Sequence, residues 1–404
     1  MRVLIDASPL LLRSAGVKNY FYHWLVHLRR LEDAGSIDTF PLIGELGPLT
    51  HQRSVLTPLA TLPRLALLHF LNIRFNPAID LLAARYDVVH VTNQLRHPIR
   101  RARVTATVHD LTAALLPELH TAGNVKADAR FTANVLRRAD GLIAVSESTR
   151  RDLVRLLGIP AGRVEVIYPG VDERFSRITR EAAAETLARL GLRKPYVLFL
   201  GTVEPRKNLD RLLDAWGELA PSFGADFELV VAGPAGWASA ATLARLGAAQ
   251  PGVRYLGYVA ETDLPALTAG AIVFAYPSLY EGFGFPIAQA IAAGVPVVAS
   301  NVSSMPEVTG EGGILVDPRS VGEIRDAVSL LLTSPSLRER LAAAGRLHSK
   351  RFRWEECARR SLEFFRGIAS GIPGTEHSVP GLAIPPAGIS SASSPARERR
   401  HQDG

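Results

Sequence analysis

The chain lacks several features that define whole classes of protein. Its 404 residues include one cysteine, Cys357, which excludes intramolecular disulfides and any zinc site built from several thiolates, and which fits a reducing compartment. The most apolar stretch, residues 59–71, is interrupted by Pro63 and Arg64 and is too short and too charged to cross a bilayer. Asp6 breaks the first apolar run. We therefore expect no secretion signal and a cytoplasmic location.

The common phosphate and metal motifs are absent as well. There is no G-x-x-x-x-G-K-[ST] loop, and Gly282 and Gly284 do not extend to G-x-G-x-x-G because Ile287 stands at the third position. No D-x-D pair is available to hold a metal–diphosphate, and H-E-x-x-H does not occur. We therefore expect no metal, and phosphate chemistry would need side chains and main-chain amides.

Short apolar runs alternate with segments of helical length along most of the chain. The composition, 47% hydrophobic and 21% charged, is that of a globular protein, and the length favours two domains. Continuous apolar runs separated by helices are typical of buried parallel strands. We predict two doubly wound α/β series. Their strands are expected at 3–5, 40–43, 88–91, 104–108, 142–145 and 164–167, then at 196–200, 227–231, 253–256, 272–275, 295–299 and 314–316.

The basic excess lies in the first half. Residues 1–170 hold 21 Lys and Arg against 14 Asp and Glu, whereas residues 171–404 hold 25 of each. Nucleic acid, an anionic membrane surface or a phosphorylated acceptor could be the partner. No nucleic-acid recognition module is present, so that partner is disfavoured. The remaining choice lies between a membrane-facing surface and an ordinary buried helix beside a solvated basic loop; the surface would combine helix 59–71 with Arg96, Arg100, Arg101 and Arg103.

Two segments that follow predicted strands of the second half carry the candidate chemistry. Residues 201–208 place Arg206 and Lys207 where a helix opens, and these cations could hold a diphosphate; the alternative is a solvated turn with Asn208 as a helix cap. Residues 281–289 combine Glu281 with the Gly282 and Gly284 turn. Its backbone amides favour an anion, although a simple glycine turn would look the same.

These segments resemble the retaining, nucleotide-sugar-dependent glycosyltransferases of family 4, which have the GT-B fold. The matching pieces of the second half are residues 201–208, 257–259, 277–284, 297–308 and 352–355. The resemblance runs from residue 1 to about 368 and implies an N-terminal acceptor-side domain, a C-terminal nucleotide-sugar domain and a helix that crosses back. We expect them at 1–175, 176–350 and 351–370. The composition of residues 371–404, rich in Pro, Ser, Ala and Gly, predicts a disordered tail.

The first half matches the family more loosely. Residues 108–111 fit its V-H-D loop, which implies that His109 and Asp110 lie beside the sugar. The loop at Gly16 corresponds to a glycine loop that approaches the diphosphate and the acceptor. Close relatives carry a second glycine where this chain has Lys18. That lysine would either help to hold phosphate or crowd the loop.

One position departs from the family pattern. The family places a second glutamate eight residues after the first, and this chain has Gln289 there. In the family the first Glu contacts the transferred sugar and the second accepts hydrogen bonds from the ribose. Glutamine keeps an acceptor oxygen but loses the charge, which would weaken donor binding by ~1 kcal/mol. The chain would then be either a working enzyme that binds its donor more weakly or a protein with a degenerate site.

The resemblance implies a retaining, metal-independent hexosyltransferase without a cofactor. His109, Arg206, Lys207 and Glu281 would be catalytic. The substrate-binding set would be Gly16, Asp110, Gly257, Tyr258, Val259, Gly282, Phe283, Gly284 and Gln289. The donor would be a UDP- or GDP-sugar, with mannose preferred. The acceptor would be a saccharide or a lipid-diphosphate-linked saccharide of cell-surface polysaccharide synthesis. A GT-B epimerase or phosphorylase, or a non-catalytic sugar-nucleotide-binding relative, is the alternative.

Overall fold

A computed structural model gives the structure of the chain. It describes residues 1–12, 16–31, 35–50, 53–71, 78–92, 94, 99–248 and 250–371, with the backbone alone for Arg180. Of the candidate membrane cluster, Arg96 lies outside these residues, as does almost all of the tail predicted at 371–404. The described residues belong to one compact unit. The domain limits expected from the resemblance stay a prediction.

The first half is built around a six-stranded parallel sheet whose central strands are buried on both faces. The strand order is β2-β1-β3-β4-β5-β6. Its strands are β1 Arg2–Asp6, β2 Ser36–Phe40, β3 Val88–Val91, β4 Arg103–Val108, β5 Gly141–Ala144 and β6 Val164–Val166. Its helices are α1 Gly16–Leu28, α2 Pro58–Leu71, α3 Ala78–Ala83, α4 Thr112–Leu115, α5 Ala122–Phe131, α6 Glu147–Leu157 and α7 Glu173–Arg177.

The second half repeats the arrangement with the order β12-β11-β10-β7-β8-β9, again parallel throughout. The strands are β7 Tyr196–Leu200, β8 Glu228–Ala232, β9 Val253–Gly257, β10 Val273–Tyr276, β11 Val297–Ser300 and β12 Gly313–Val316. The helices are α8 Arg180–Arg189, α9 Leu209–Phe223, α10 Ala240–Gly247, α11 Leu264–Gly270, α12 Phe285–Ala292, α13 Met305–Thr309, α14 Val321–Thr333 and α15 Pro335–Ser349. The two doubly wound series predicted from the apolar runs are confirmed.

One predicted strand is displaced. Only Phe40, the first residue of the apolar run at 40–43, belongs to β2, and the rest of the run follows the strand. β2 lies at the edge of its sheet, pairs with β1 alone and so tolerates the polar residues Ser36 and Asp38. Pro41 has no N–H to donate to a ladder, and the strand ends just before it.

The last helix, α16 Trp354–Ala369, returns to the first half as expected. Its Ser361 Oγ accepts a hydrogen bond from Trp24 Nε1 on α1 at 2.9 Å, in a buried contact. Just before the helix, Phe352 O accepts from Val171 N at 3.0 Å. α16 therefore joins the two halves, and the carboxyl ends of both sheets supply the loops of the candidate site.

Candidate active site

The loop after β7 presents two cations in a short 3-10 turn, Pro205–Lys207. Asn208 ends the turn with a left-handed φ of 58°. Its side-chain amide donates to Pro277 O at 2.8 Å and to Pro318 O at 2.7 Å, so it ties the loop to the one after β10. Asn208 does stand at the N-cap of α9, but its side chain makes no capping hydrogen bond. Long-range loop contacts use its amide instead.

Arg206 and Lys207 meet Glu281 from two sides. Lys207 Nζ lies 2.6 Å from Glu281 Oε1, and Arg206 Nη1 lies 2.8 Å from Glu281 Oε2. The other guanidinium nitrogen, Nη2, pairs with Glu204 Oε1 at 2.7 Å. The turn is mostly buried, which contradicts the solvated-turn interpretation. Two cations thus balance two carboxylates, and an incoming diphosphate must compete with Glu281 for them. We call these four residues the charge cluster.

Burial and charge act against each other inside the cluster. Burial alone would raise the pKa of Glu281, but Arg206 and Lys207 outweigh it and lower that pKa to about 2. Burial lowers the pKa of Lys207, with Arg206 acting in the same direction. Burial also raises the pKa of Glu204, and its ion pair with Arg206 opposes that change. Glu281 is therefore ionised throughout the neutral range and holds both cations in place.

Polar groups that sequence reasoning missed complete the cluster. Tyr276 OH accepts from Lys207 Nζ at 2.6 Å, and Ser278 Oγ donates to Glu281 Oε1 at 2.7 Å. Glu281 N donates to Ser303 Oγ at 3.0 Å. The available signal was position: Tyr276 ends β10, and a hydroxyl at the carboxyl end of a buried strand points to the site edge.

Two glycines shape the turn after β10. A Cβ on Gly282 would lie 1.6 Å from His109 O, so only glycine permits the first half to approach this closely. Thr149 Oγ1 lies 3.4 Å from His109 O and 3.3 Å from Gly282 O, within hydrogen-bond reach of both. Gly284 has a φ of 95° and immediately precedes α12. The turn therefore joins the halves as well as exposing amides.

His109 and Asp110 lie at the end of β4, against this turn. Burial lowers the pKa of His109 to about 4, so its imidazole is neutral at pH 7. The Nε2 atom is buried and has no hydrogen-bond partner among the described residues. Tyr20 packs edge-on against the ring with centroids 4.9 Å apart. Asp110 Oδ1 accepts from Thr112 N at 3.0 Å, which fixes the loop.

Gly16 and Lys18, at the start of α1, are the next two candidate positions. A Cβ on Gly16 would lie 3.9 Å from the Phe285 ring, so the α1 loop faces the second half as expected. Lys18, however, is fully buried, and its Nζ donates to Thr50 O at 3.2 Å and to Arg53 O at 2.9 Å. Its charge is thus used to tie the start of α1 to the segment that precedes α2.

Three of the predicted substrate-binding residues, Gly257, Tyr258 and Val259, lie at and just after the end of β9. Gly257 O accepts from Gly233 N at 2.7 Å, which aligns the two strand ends. Tyr258 is half-buried and Val259 is buried. The ring centroids of Phe283 and Phe285 lie 5.2 Å apart, and the side chain of Phe283 is buried in the core. Only the backbone of Phe283 could therefore contact a donor. Gln289 is half-buried on α12, behind the glycine turn.

A second carboxylate links the halves away from the charge cluster. Glu307 on α13 accepts hydrogen bonds from Glu147 N and Ser148 N, each at 3.1 Å, at the start of α6. Tyr168 OH donates to the same carboxylate at 3.1 Å.

No group of three or more His, Cys, Asp or Glu side chains suited to a metal ion occurs in the described part of the chain.

Comparison with known proteins supports one family. Residues 16–175 match the family described as Glycosyltransferase Family 4, and residues 186–348 match Glycosyl transferases group 1. O-antigen chain mannosyltransferase B of Escherichia coli is 35% identical over 67% of this chain and 71% of that protein. D-inositol 3-phosphate glycosyltransferase of a Nocardioides species is 32% identical over 70% and 67%.

The fold has close counterparts among solved structures. Sucrose-phosphate synthase from Thermosynechococcus elongatus superposes with a TM-score of 0.70 over 91% of this chain and 99% of that chain, at 21% identity. That likeness concerns the fold, whereas the two sequence relatives carry the activity class. The chain is therefore a glycosyltransferase that belongs to family 4 and has the GT-B fold.

Proposed function

We propose that the chain transfers a hexose, with mannose preferred, from a nucleotide diphosphate sugar to a saccharide or lipid-linked saccharide of a cell-surface polysaccharide, with retention of configuration. The observation that carries the proposal is the charge cluster, because Arg206 and Lys207 meet Glu281 at the carboxyl ends of β7 and β10. The E. coli relative is a mannosyltransferase, which supports mannose as the transferred sugar. The transfer assay decides whether the nucleotide of the donor is UDP or GDP.

We propose that donor binding breaks the ion pairs of Glu281 with Arg206 and Lys207. The diphosphate would take Arg206 and Lys207, and Glu281 would turn to the hydroxyls of the transferred sugar. The two cations and the amides of the Gly282–Gly284 turn would then receive the charge that develops as the glycosidic C–O bond breaks. Each such group contributes roughly 3 kcal/mol to transition-state stabilisation. Neither a metal nor a cofactor is needed in this scheme.

Retention is proposed to follow a same-face route assisted by the leaving phosphate. Glu281 is a poor nucleophile because two cations hold its charge and its pKa is about 2. His109 is neutral and its Nε2 has no partner among the described residues, so it suits a hydrogen bond with a sugar hydroxyl. Gln289 would hydrogen-bond the ribose without a charge. The group that attacks would be an acceptor hydroxyl supplied from the first half.

An anionic membrane is the proposed location of the acceptor. The outward side of α2 carries apolar residues at helical spacing, with Leu59 88% exposed and Leu62, Leu67 and Phe70 also exposed. Leu42, 71% exposed, adjoins them because Arg64 Nε on α2 donates to its carbonyl at 2.7 Å. Arg64 lies on the same helix, and a cation beside exposed leucines suits anionic headgroups. None of the helices in the described ranges has both the length and the apolar character to cross a bilayer. The cytoplasmic location stays a prediction.

A transfer assay tests the proposed function. The purified chain is incubated with GDP-mannose, UDP-glucose or UDP-N-acetylglucosamine and with mannose-terminated saccharides, and the anomeric configuration of the product is read by NMR. We expect transfer from one donor with retention. Nucleotide-sugar binding without turnover on any acceptor would instead support a non-catalytic relative, and an inverted product would contradict the mechanism.

A further inference from the structure

Helix α6 of the first half contacts the second half at several points along one side. At its start, two backbone amides donate to Glu307 on α13. Thr149 Oγ1, in the first turn, lies 3.3 Å from Gly282 O in the turn after β10. Asp152, one turn further along the helix, contacts Tyr280. The helix is therefore docked against the loop that carries the glutamate of the charge cluster.

The contact between Asp152 and Tyr280 is a hydrogen bond across the two halves. Tyr280 OH donates to Asp152 Oδ2. Asp152 is buried, and its other carboxylate oxygen pairs with the exposed Arg155 at 3.1 Å. Burial raises the pKa of Tyr280, and the Asp152 carboxylate acts in the same direction, so the phenol keeps its proton and remains the donor. The first half thus fixes the position of the Tyr280 side chain.

The backbone of Tyr280 in turn holds Arg206. Arg206 Nη1 donates to Tyr280 O at 2.7 Å, and the same nitrogen lies 2.8 Å from Glu281 Oε2. Leu279 N donates back to Arg206 O at 2.8 Å, so the two loops are bound in both directions. In the proposed donor complex the diphosphate replaces Glu281 at the guanidinium. The carbonyl of Tyr280 then remains as a fixed partner, and Arg206 can exchange one anion for another without losing its position.

We propose that Asp152 is a positioning residue of the transfer reaction, which acts through Tyr280 to hold the Arg206 guanidinium where the departing diphosphate needs it. Donors that are fixed before the reaction stabilise a developing charge most effectively. In this scheme the first half contributes to the donor side through α6, and full activity requires that α6 be docked on the second half. The inference rests on the proposed function and adds one residue to each side of the contact.

Variants that remove either partner of the hydrogen bond test the assignment. Asp152→Ala deletes the acceptor, and Tyr280→Phe deletes the donor. We expect each variant to lower kcat about tenfold and to raise the dissociation constant of the nucleoside diphosphate about threefold, because Arg206 is no longer held in place. KM for the acceptor should stay within about twofold of wild type. Asp152→Asn keeps an acceptor oxygen and should retain about half or more of the wild-type kcat.

Tyr168→Phe is the matched control. Tyr168 also donates a phenolic hydrogen bond to a buried carboxylate of the other half, that of Glu307. Glu307 keeps its two backbone donors in this variant, and it lies away from the charge cluster. Both kcat and the nucleotide dissociation constant should therefore match wild type. Thermal unfolding of every variant reports whether the fold is intact.

A double variant, Asp152→Ala with Tyr280→Phe, tests whether the two residues act as a unit. It should be no slower than the slower single variant, since all three proteins lack the same bond. Losses that multiply in the double variant would overturn the proposal, because they would show two independent effects. A loss in Asp152→Asn as large as that in Asp152→Ala would overturn the hydrogen bond as the means of positioning.

The remaining outcomes separate this inference from the proposed function. Near-normal kcat and nucleotide affinity in both Asp152→Ala and Tyr280→Phe would overturn the positioning role and leave the proposed function intact. An equal loss in Tyr168→Phe would overturn it as well, because any contact between the halves would then have the same effect. A wild type that binds the nucleotide but transfers no sugar would overturn the proposed function, and the nucleotide affinities of the same variants would still support or overturn the positioning of Arg206.

Discussion

The second half holds a buried, charge-balanced cluster at its strand ends, whereas the first half holds a neutral imidazole and an exposed apolar helix face. Both halves are built on a six-stranded parallel sheet, although the order of the strands differs. The difference lies in the loops at the strand ends: charged and glycine-rich turns after β7 and β10, and a lone imidazole after β4. Two related sheets thus present a buried ion-pair cluster in one half and a neutral histidine in the other.

The largest effect on activity is expected from substitution of Lys207, in the charge cluster of the second half. Lys207→Ala removes one of the two cations paired with Glu281. It should lower kcat on the order of several hundredfold, as losses of charge-stabilising groups do. Lys194→Ala, at an exposed lysine of the same half, should leave kcat unchanged. Steady-state kinetics with far-UV circular dichroism would measure this, and near-normal turnover in Lys207→Ala would refute the phosphate role.

The contact between the halves can be broken at Gly282. In Gly282→Ala the added Cβ meets His109 O, which must move away. A displacement of about 1 Å can cost up to ~100-fold in rate, so we expect kcat to fall at least tenfold. The dissociation constant of the nucleoside diphosphate is measured alongside, because Gly282 belongs to the turn that we propose for donor binding. Gly217→Ala is the control, since its Cβ meets nothing within 4 Å. Unchanged kcat in Gly282→Ala would show that the contact is dispensable.

The exposed face of α2 can be tested against an exposed leucine of the second half. Leu59→Glu combined with Phe70→Glu should weaken binding to vesicles of phosphatidylglycerol about tenfold or more, because each apolar side chain contributes about 2 kcal/mol when buried. Leu347→Glu on α15, where Leu347 is 69% exposed, should have no effect. Co-sedimentation at low salt is the measurement. Equal losses of vesicle binding in the double variant and in Leu347→Glu, or no binding by wild type, would contradict the proposed membrane surface.

Acid stability tests the burial of His109 in the first half. Its folded pKa of about 4 lies below the ordinary value of 6.5, so the unfolded chain binds the proton more readily. The stabilisation is complete above pH 6.5 and is lost as the pH falls from 6.5 towards 4. His109→Gln should therefore lose less stability between pH 7 and pH 4 than wild type, by at most roughly 3 kcal/mol. Urea unfolding at both values tests this, with exposed His69→Gln as control. Identical acid sensitivity in wild type and His109→Gln would be inconsistent with burial of a neutral imidazole.

The smallest effect is expected at Gln289. Gln289→Glu restores the charge that the family pattern has at this position and should tighten the donor nucleotide about fivefold, or ~1 kcal/mol. Isothermal titration of the nucleoside diphosphate measures the change. Gln250→Glu, a half-buried glutamine outside the site, is the control. An unchanged dissociation constant would place Gln289 away from the ribose.

Most of the fold could be predicted from the sequence because buried parallel strands read as continuous apolar runs. The loops that follow β7 and β10 were identifiable from Arg206, Lys207 and the Gly282 turn. The ion pairs with Glu281 were not, because they join residues 74 and 75 positions apart through loop geometry. The tether from Lys18 to Thr50 O and Arg53 O was equally hidden, since it depends on where an irregular segment folds back.

The most direct test of the central claim is the single-turnover transfer rate of EDTA-treated enzyme, with and without added magnesium or manganese. If Arg206, Lys207 and the turn amides stabilise the departing nucleoside diphosphate by themselves, the rate will be the same in excess chelator. A rate that collapses in chelator and returns with the metal would contradict the account.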